Sequence, residues 1–416
     1  MSTSLDELGT VRSEAKRYTR CLLRVGLLTG GDDKPYALGL AQALVGQSII
    51  LDFIGSDAVD GPELHGTPLI NFLNLRGDQN TRAQLLEKIS RIVIYYARLV
   101  HYAATSSAPV LHILWNNKFE IIDRVFLMLF YRLLGKKVVF TAHNVNAAQR
   151  DGKDSLLNRV TLRIQYMLTN HLLVHTKRMK EQLRSEFRVP DRKITVIPFG
   201  INNTIPKTGL TAVEARERLG ISPGQKTALF FGQIAPYKGL EYLIDAIADL
   251  EKRNSAPRLI VAGKVKQGCQ DYWRMIERKV EETGVSLVRQ IGFIPDQEVE
   301  IYFKAADVVI IPYVQIFQSG VPFLAFSFGL PVIATDVGSL QEDILDGQTG
   351  WICRPKDPAD LAEKIEHHFA SDLYRCLCEK RDEIVTLANR KYSWSTVAHV
   401  TRGVYEQLLT GCAASS

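Results

Sequence analysis

The chain has 416 residues, more than one core usually takes, so two domains of roughly 100–200 residues are expected. Hydrophobic residues are 46% and charged residues 23%, the balance of a globular protein. The formal net charge of +6 is too small to imply nucleic-acid binding, although it suits an anionic substrate or an anionic membrane surface.

The first twenty residues, MSTSLDELGTVRSEAKRYTR, are polar and mixed in charge. They lack the apolar core of a secretory signal, so a cytoplasmic setting is expected. The six cysteines (Cys21, Cys269, Cys353, Cys376, Cys378 and Cys412) are scattered, make no zinc-type pair of pairs and fit a reducing compartment. Short apolar runs then alternate with longer amphipathic stretches. Strands are predicted at residues 22–28, 48–54, 109–114, 137–141, 172–175 and 194–197, with helices at 83–104, 119–134 and 156–168. Residues 119–134 are the most apolar helix. Their uninterrupted apolar run, 125–131, is far below the roughly 18 residues a spanning helix needs. A buried core helix is the expectation, with docking on a membrane surface as its rival.

Residues 198–211, rich in Pro, Gly, Asn and Thr, read as a linker. A second series follows, with strands at 228–232, 258–262, 285–291, 308–312 and 331–335 and helices at 242–253, 271–283 and 359–369. Strands alternating with helices of this length mean βαβ units. The fold class is therefore α/β, with two doubly wound parallel sheets. The carboxyl ends of such strands are where ligands bind.

Three segments carry residues suited to chemistry. In FFGQIAPYKG, Gly232 ends a buried strand, Gln233 follows, and Lys238 stands beside a helix start, where a phosphate can be held. In PYVQIFQSGVPFLAFSFGLPVIAT, a polar stretch including Gln318 leads to Ser319, read as an N-cap. Gly320, Val321 and Pro322 then open an apolar helix whose free N–H groups suit a diphosphate. In KVVFTAHNV, His143 directly follows a buried strand and can bond a sugar hydroxyl, act as a base, or serve structure alone. The chain has no G-x-G-x-x-G after a strand and no G-x-x-x-x-G-K-[ST], which argues against a nicotinamide enzyme and a P-loop NTPase.

Taken in order, these segments resemble the GT-B-fold glycosyltransferases, in particular glycosyltransferase family 4. ITVIPFGIN, FFGQIAPYKGLEYLIDAI, AADVVIIPY, FGLPVIATDVGSLQEDILDGQTGWI and DPADLAEKI follow in the family's order, and FTAHN and LLTGGDDK match its first half. The resemblance implies an acceptor-binding domain at 1–200 and a donor-binding domain at 201–393. It implies too that residues 394–416 carry a helix crossing back to the first domain. It implies transfer of a sugar from a nucleoside diphosphate sugar to a saccharide or lipid-linked saccharide, in polysaccharide or cell-envelope glycan synthesis. By the family pattern Lys238, with backbone near Ser319, Gly320 and Val321, would hold the diphosphate. His143 would contact the transferred sugar, Gly30 and Gly31 would let a loop approach the donor, and backbone at Phe293 and Ile294 would border the base. No cofactor beyond the donor and no essential metal is expected. Partners are then the donor, the acceptor glycan and an anionic membrane at its inner face, without nucleic acid.

Two departures bear on activity. Gln233 stands where the family usually has Arg, and the family's Glu-x7-Glu pair falls on Ile316 and Leu324. Retention of configuration follows from the family. An inverting route would need a base, for which Asp32, Asp33, Glu120 and His143 are candidates. Tyr36, Trp115 and Tyr131 are aromatics for stacking on an acceptor sugar or for packing. The rival readings are a non-catalytic nucleotide-sugar-binding subunit and a nucleotide-sugar epimerase.

Overall fold

Apolar runs that show no in–out alternation need cover on both faces, which a parallel sheet flanked by helices supplies. The computed structural model describes residues 22–30, 33–80, 84–117, 119–150, 154–201, 203 and 205–411. Its strands are β1 (Leu23–Leu28), β2 (Ile49–Gly55), β3 (Ile70–Asn74), β4 (Val110–Ile113), β5 (Lys137–Thr141), β6 (His171–Val174), β7 (Ile194–Val196), β8 (Thr227–Phe231), β9 (Arg258–Gly263), β10 (Leu287–Ile291), β11 (Val308–Ile311), β12 (Val332–Thr335) and β13 (Gly350–Cys353). The longer helices of the first half are α1 (Lys34–Gly46), α2 (Leu85–Thr105), α3 (Leu127–Leu133), α4 (Leu156–Leu168) and α5 (Lys177–Phe187). Those of the second half are α6 (Ala212–Arg218), α7 (Leu240–Lys252), α8 (Gln270–Thr283), α9 (Asp296–Ala305), α10 (Val321–Ser327), α11 (Pro358–Ala370), α12 (Leu377–Lys391) and α13 (Trp394–Thr410).

The strands form two sheets, β3-β2-β1-β4-β5-β6-β7 and β10-β9-β8-β11-β12-β13. Pairs are parallel along the first sheet from β3 to β6 and throughout the second. In each sheet the order reverses once, between β1 and β4 and between β8 and β11. These are the switch points at which a doubly wound sheet opens a crevice beyond its carboxyl ends. In β8, Leu229 packs into the apolar cluster on one face of the sheet, and Ala228 and Phe230 into the cluster on the other. The two Rossmann-like sheets give the GT-B architecture expected from the sequence.

Strand boundaries agree with the sequence reading to within two residues, and two strands escaped it. β3 is the edge of its sheet and is only half covered, so its residues lack the apolar run of a central strand. β13 opens on Gly350 at φ +150°, where an added Cβ would lie 1.8 Å from the carbonyl oxygen of Val332. Close strand pairing fixes that glycine, and a glycine in a short run reads as a turn.

The helix expected at 119–134 needs a correction. It passes through a π-helical turn (Ile122–Phe126) into α3, and it is not a core helix. Asp123, Leu127, Met128 and Tyr131 are buried, while Ile122, Phe126, Leu129 and Leu133 form an exposed apolar stripe. A sheet covers only one side of a helix, and here the side left over is apolar as well. No helix among the described residues is long and apolar enough to cross a membrane.

Two compact units emerge. The first takes Met1–Thr141, Arg163–Leu173 and Ala398–Ser416; the second takes Ala142–Leu162 and Val174–Val397. The final helix α13 belongs to both. In the second unit Trp394 donates its indole N–H to the carbonyl of Ile201 at 2.9 Å. In the first, Arg402 donates to the carbonyl of Gln47 at 2.6 Å, and the Tyr405 hydroxyl lies 2.6 Å from Nδ1 of His112.

Candidate active site

In the second unit the chain leaves β8 at Gly232, whose φ of +114° favours glycine. Gln233 follows in an exposed position. A 3-10 turn (Pro236–Lys238) then carries the chain to Gly239, at φ +65°. A Cβ on Gly239 would lie 2.1 Å from the carbonyl oxygen of Pro312, just past β11. That contact ties the loop after β8 to the loop after β11, across the switch point. It also buries Lys238, only 7% exposed, with Nζ 3.7 Å from the ring centroid of Tyr313. The ring face supports the cation, which offsets part of the cost of removing it from water.

The segment after β11 supplies the opposite wall. A Cβ on Gly232 would meet Cγ2 of Val321 at 3.8 Å, so the end of β8 faces the first residue of α10. The cap differs from the sequence reading. Gly320, not Ser319, is the N-cap of α10; the Ser319 hydroxyl accepts the N–H of Val321 at 3.3 Å from one residue further out. Pro322 to Ser327 are all buried, as an all-apolar helix requires. Gly232, Lys238, Ser319, Gly320 and Val321 therefore gather at one switch point. Gln318 is turned elsewhere: its amide donates to the carboxylate of Asp343 at 3.3 Å. Phe293 and Ile294 follow β10, one of the two edge strands of its sheet; Phe293 is exposed, and the side chain of Ile294 enters the core. Ile316 and Leu324, the positions of the family's two glutamates, are buried in the same apolar cluster.

His143 lies one residue beyond Ala142 and is buried. Its Nδ1 is 3.0 Å from Nε2 of His175, which follows β6. The rings are 4.9 Å apart and tilted by 35°. Phe199 meets His175 edge-on at 4.9 Å and stacks on Phe323 of α10 at 5.1 Å. A Cβ on Gly320 would lie 3.9 Å from Phe199, so the histidine pair and the start of α10 share one aromatic wall. Burial pushes the His175 imidazole down to about 4, against weaker support from the backbone near Ile197 and Pro198. It is neutral at pH 7 and exchanges one hydrogen bond with His143.

His175 and Asp343 were missed from sequence. A His after an apolar run was visible at both positions, but only the fold pairs them. Asp343 is buried beneath Ser339, Gln318 and Tyr392, and burial raises its carboxyl to about 6 against those three hydrogen bonds. A cavity of about 450 Å³ lies beside these groups, between Thr176, Arg178 and Gln182 of the α5 region and the 314–317 and 336–338 loops.

In the first unit Gly30 sits at φ +62°, where a Cβ would lie 2.6 Å from the carbonyl oxygen of Trp115. The loop after β1 is thereby pressed against the loop after β4. Asp33 caps α1, accepting the N–H of Tyr36 at 3.1 Å. Gly31 and Asp32 lie outside the described residues. Tyr36 and Tyr131 are core residues, and Trp115 meets Tyr36 edge-on at 5.7 Å.

Two doubly wound parallel sheets, of seven and six strands, place the chain in the class of GT-B-fold proteins. The family models for "Glycosyltransferase Family 4" and "Glycosyl transferases group 1" match residues 36–204 and 225–371. The chain belongs to the group 1, or family 4, glycosyltransferases. It is 31% identical over 239 residues to an uncharacterized glycosyltransferase of Methanocaldococcus jannaschii, covering 56% of this chain and 58% of that protein. It is 30% identical over 241 residues to D-inositol 3-phosphate glycosyltransferase of Nocardia farcinica, covering 55% and 52%. The chain thus spans a little over half the length of these relatives. Among solved structures, HepE of Anabaena in complex with UDP and glucose superposes with a TM-score of 0.70 at 16% identity, covering 94% of this chain and 100% of that one.

Proposed function

We propose that this chain transfers a hexose, with retention, from a nucleoside diphosphate sugar to a saccharide or lipid-linked saccharide in the synthesis of a polysaccharide or cell-envelope glycan. The observation that carries the reading is the buried Lys238 beside Gly232 and the Ser319–Gly320–Val321 backbone at the β8/β11 switch point. The lysine supplies charge, and the glycines let a diphosphate come close to the backbone. Family 4 members retain configuration, and the similar HepE fold holds UDP and glucose, which supports a UDP-sugar as the first donor to try. Gln233 can bond a phosphate without neutralising it, so Lys238 bears more of the affinity. His143, held by neutral His175, would bond the transferred sugar. Gly30 would admit the donor, Asp33 remains a candidate base with one carboxylate oxygen engaged in capping, and Phe293 and Ile294 would border the base through their backbone. Docking of the first unit on an anionic membrane belongs to the same proposal.

The test is a melting-temperature panel of UDP-, GDP- and ADP-sugars on the wild type and on Lys238→Ala. A ligand at about 100 times its dissociation constant adds about 2.7 kcal/mol of stability. One nucleotide series should stabilise the wild type, and the lysine variant should lose that shift. A panel without any shift at millimolar concentration overturns the reading.

The apolar burial of Ile316 and Leu324 favours one rival, a subunit that binds the donor without turnover. That rival predicts a donor-induced shift but no nucleoside diphosphate release with any acceptor.

A further inference from the structure

The first unit holds a pocket of about 260 Å³ that the donor chemistry leaves unused. It lies beyond the carboxyl ends of β3 and β4, beside the β1/β4 switch point. Arg76 forms one edge and donates from Nη1 to the carbonyl of Gly30, which ties the pocket to the loop after β1. Lys88 and Arg91 of α2 supply two more cations, and Tyr95, Tyr96 and Phe119 supply rings.

The aromatic wall is rigid for a definite reason. Tyr95 donates to Oδ1 of Asn117 at 2.7 Å, and both Asn117 and Tyr96 donate to Oδ1 of buried Asp123, at 3.0 and 2.9 Å. Burial raises the Asp123 carboxyl above its ordinary range, against the hydrogen bonds from Asn117 and Tyr96. Two further carboxylates bear on the pocket: Asp78 lines it at 3.3 Å from Arg91, and Glu87 pairs with Arg91 along the helix. Both side chains are about half exposed, and such pairs are weak, so a phosphate that brings more charge and better geometry displaces them at little cost.

The surroundings are apolar. Of the 22 large hydrophobic side chains exposed among the described residues, six lie on α2 and seven between residues 119 and 134. The two helices meet at the pocket, where Tyr96 and Phe119 pack at 6.3 Å. Cations and aromatic rings thus sit beside an exposed apolar face of the described residues.

We infer that this pocket takes the phosphorylated head of an amphiphilic acceptor, whose chain lies along the apolar face of α2 and the 119–134 helix. The inference rests on the glycosyltransferase reading for the word acceptor, and it narrows that acceptor from any saccharide to a phosphate-bearing, lipid-linked one. Lys88, Arg91 and Arg76 recognise the phosphate, and the rings receive the group beside it.

The test is calorimetric titration of the full chain, saturated with UDP so that the donor site is occupied. The probes are farnesyl phosphate, farnesol and inorganic phosphate, on the wild type and on Lys88→Ala/Arg91→Ala. Farnesyl phosphate should bind at least about tenfold more tightly than either half alone, and the double variant should lose about tenfold or more, because each half of the site is a weak binder by itself. Equal binding of farnesyl phosphate by the variant overturns the inference, as does farnesol or inorganic phosphate binding as tightly as the ester, or no binding by the wild type. The UDP-sugar melting shift, measured on both proteins, separates the two failures. A retained shift without farnesyl phosphate binding sinks only the acceptor class, whereas a wild type without that shift sinks the transferase reading itself.

Discussion

Asp343 and His175 are buried ionisable groups whose pKa values are displaced with opposite consequences. The Asp343 carboxyl is raised to about 6 by burial, so the folded state holds its proton more tightly than the unfolded state, where the value is near 3.8. That stability is present at low pH and is lost as pH rises through the folded value. About two pKa units correspond to about 3 kcal/mol between roughly pH 4 and pH 7 as an upper figure. Asp343→Asn should abolish this slope, so the gap in unfolding free energy between wild type and variant should change with pH across that range. Urea denaturation at each pH measures it, and parallel curves would refute the assignment. His175 runs the other way. Burial lowers it to about 4, so the unfolded chain takes up a proton first and stability is lost as pH falls below about 6.5. His175→Gln, which keeps a hydrogen-bonding group toward His143, should flatten the acid limb of the stability curve. None of this was legible in the sequence. The partners of Asp343 range from Gln318 to Tyr392, and a lone His after a strand gives no sign of the second ring 32 positions away.

At the scale of the element, central strands and their helices were legible because parallel strands buried on both faces leave uninterrupted apolar runs. Of the four edge strands, β7 and β10 were legible and β3 and β13 were not. The apolar run at 321–326 gave the clearest reading: it lies in α10, whose residues Pro322 to Ser327 are buried. One of the two positions where the family has glutamate, Leu324, lies on this helix, and the other, Ile316, lies in the loop before it. Leu324 is 7% exposed and packs into the core, as does Ile316. Restoring the family residue would put a carboxylate among apolar side chains. Leu324→Glu should therefore cost about 3 kcal/mol or more, with the new carboxyl driven to its neutral form, and should not raise transfer rates. A melting curve and a turnover assay on the same sample decide it. A variant as stable as wild type and more active would show that the glutamate's cavity still exists. Gly239 offers a second check. Its φ of +65° and the nearby Pro312 carbonyl leave no room for Cβ, so Gly239→Ala should both lower the melting temperature and weaken nucleotide-sugar binding through displacement of Lys238.

For the molecule as a whole, the distribution of exposed apolar side chains is the feature that composition could not reveal. A hydrophobic fraction of 46% says nothing about where the residues lie, and the short apolar run at 125–131 suggested a core helix. The fold instead turns Ile122, Phe126, Leu129 and Leu133 outward, along with Leu85, Leu86, Ile89 and Val93 of α2. An apolar surface of this extent on a monomer marks an interaction site, and Lys88, Arg98 and Arg132 on the same two helices give it a positive sign. A bilayer with anionic head groups satisfies both features, each basic residue near such a surface contributing about 1 kcal/mol. The expected outcome is co-flotation of the chain with vesicles rich in phosphatidylglycerol, weaker flotation with phosphatidylcholine alone, and a decline as salt is raised, since screening removes the electrostatic part and leaves the apolar part. Phe126→Ser with Leu133→Ser should abolish flotation without lowering the melting temperature, because both side chains stand in solvent. If the double variant floats as well as the wild type, the apolar face is not the docking surface. If it fails to float yet transfers normally to a water-soluble acceptor, the face serves delivery of the substrate and not the transfer step itself.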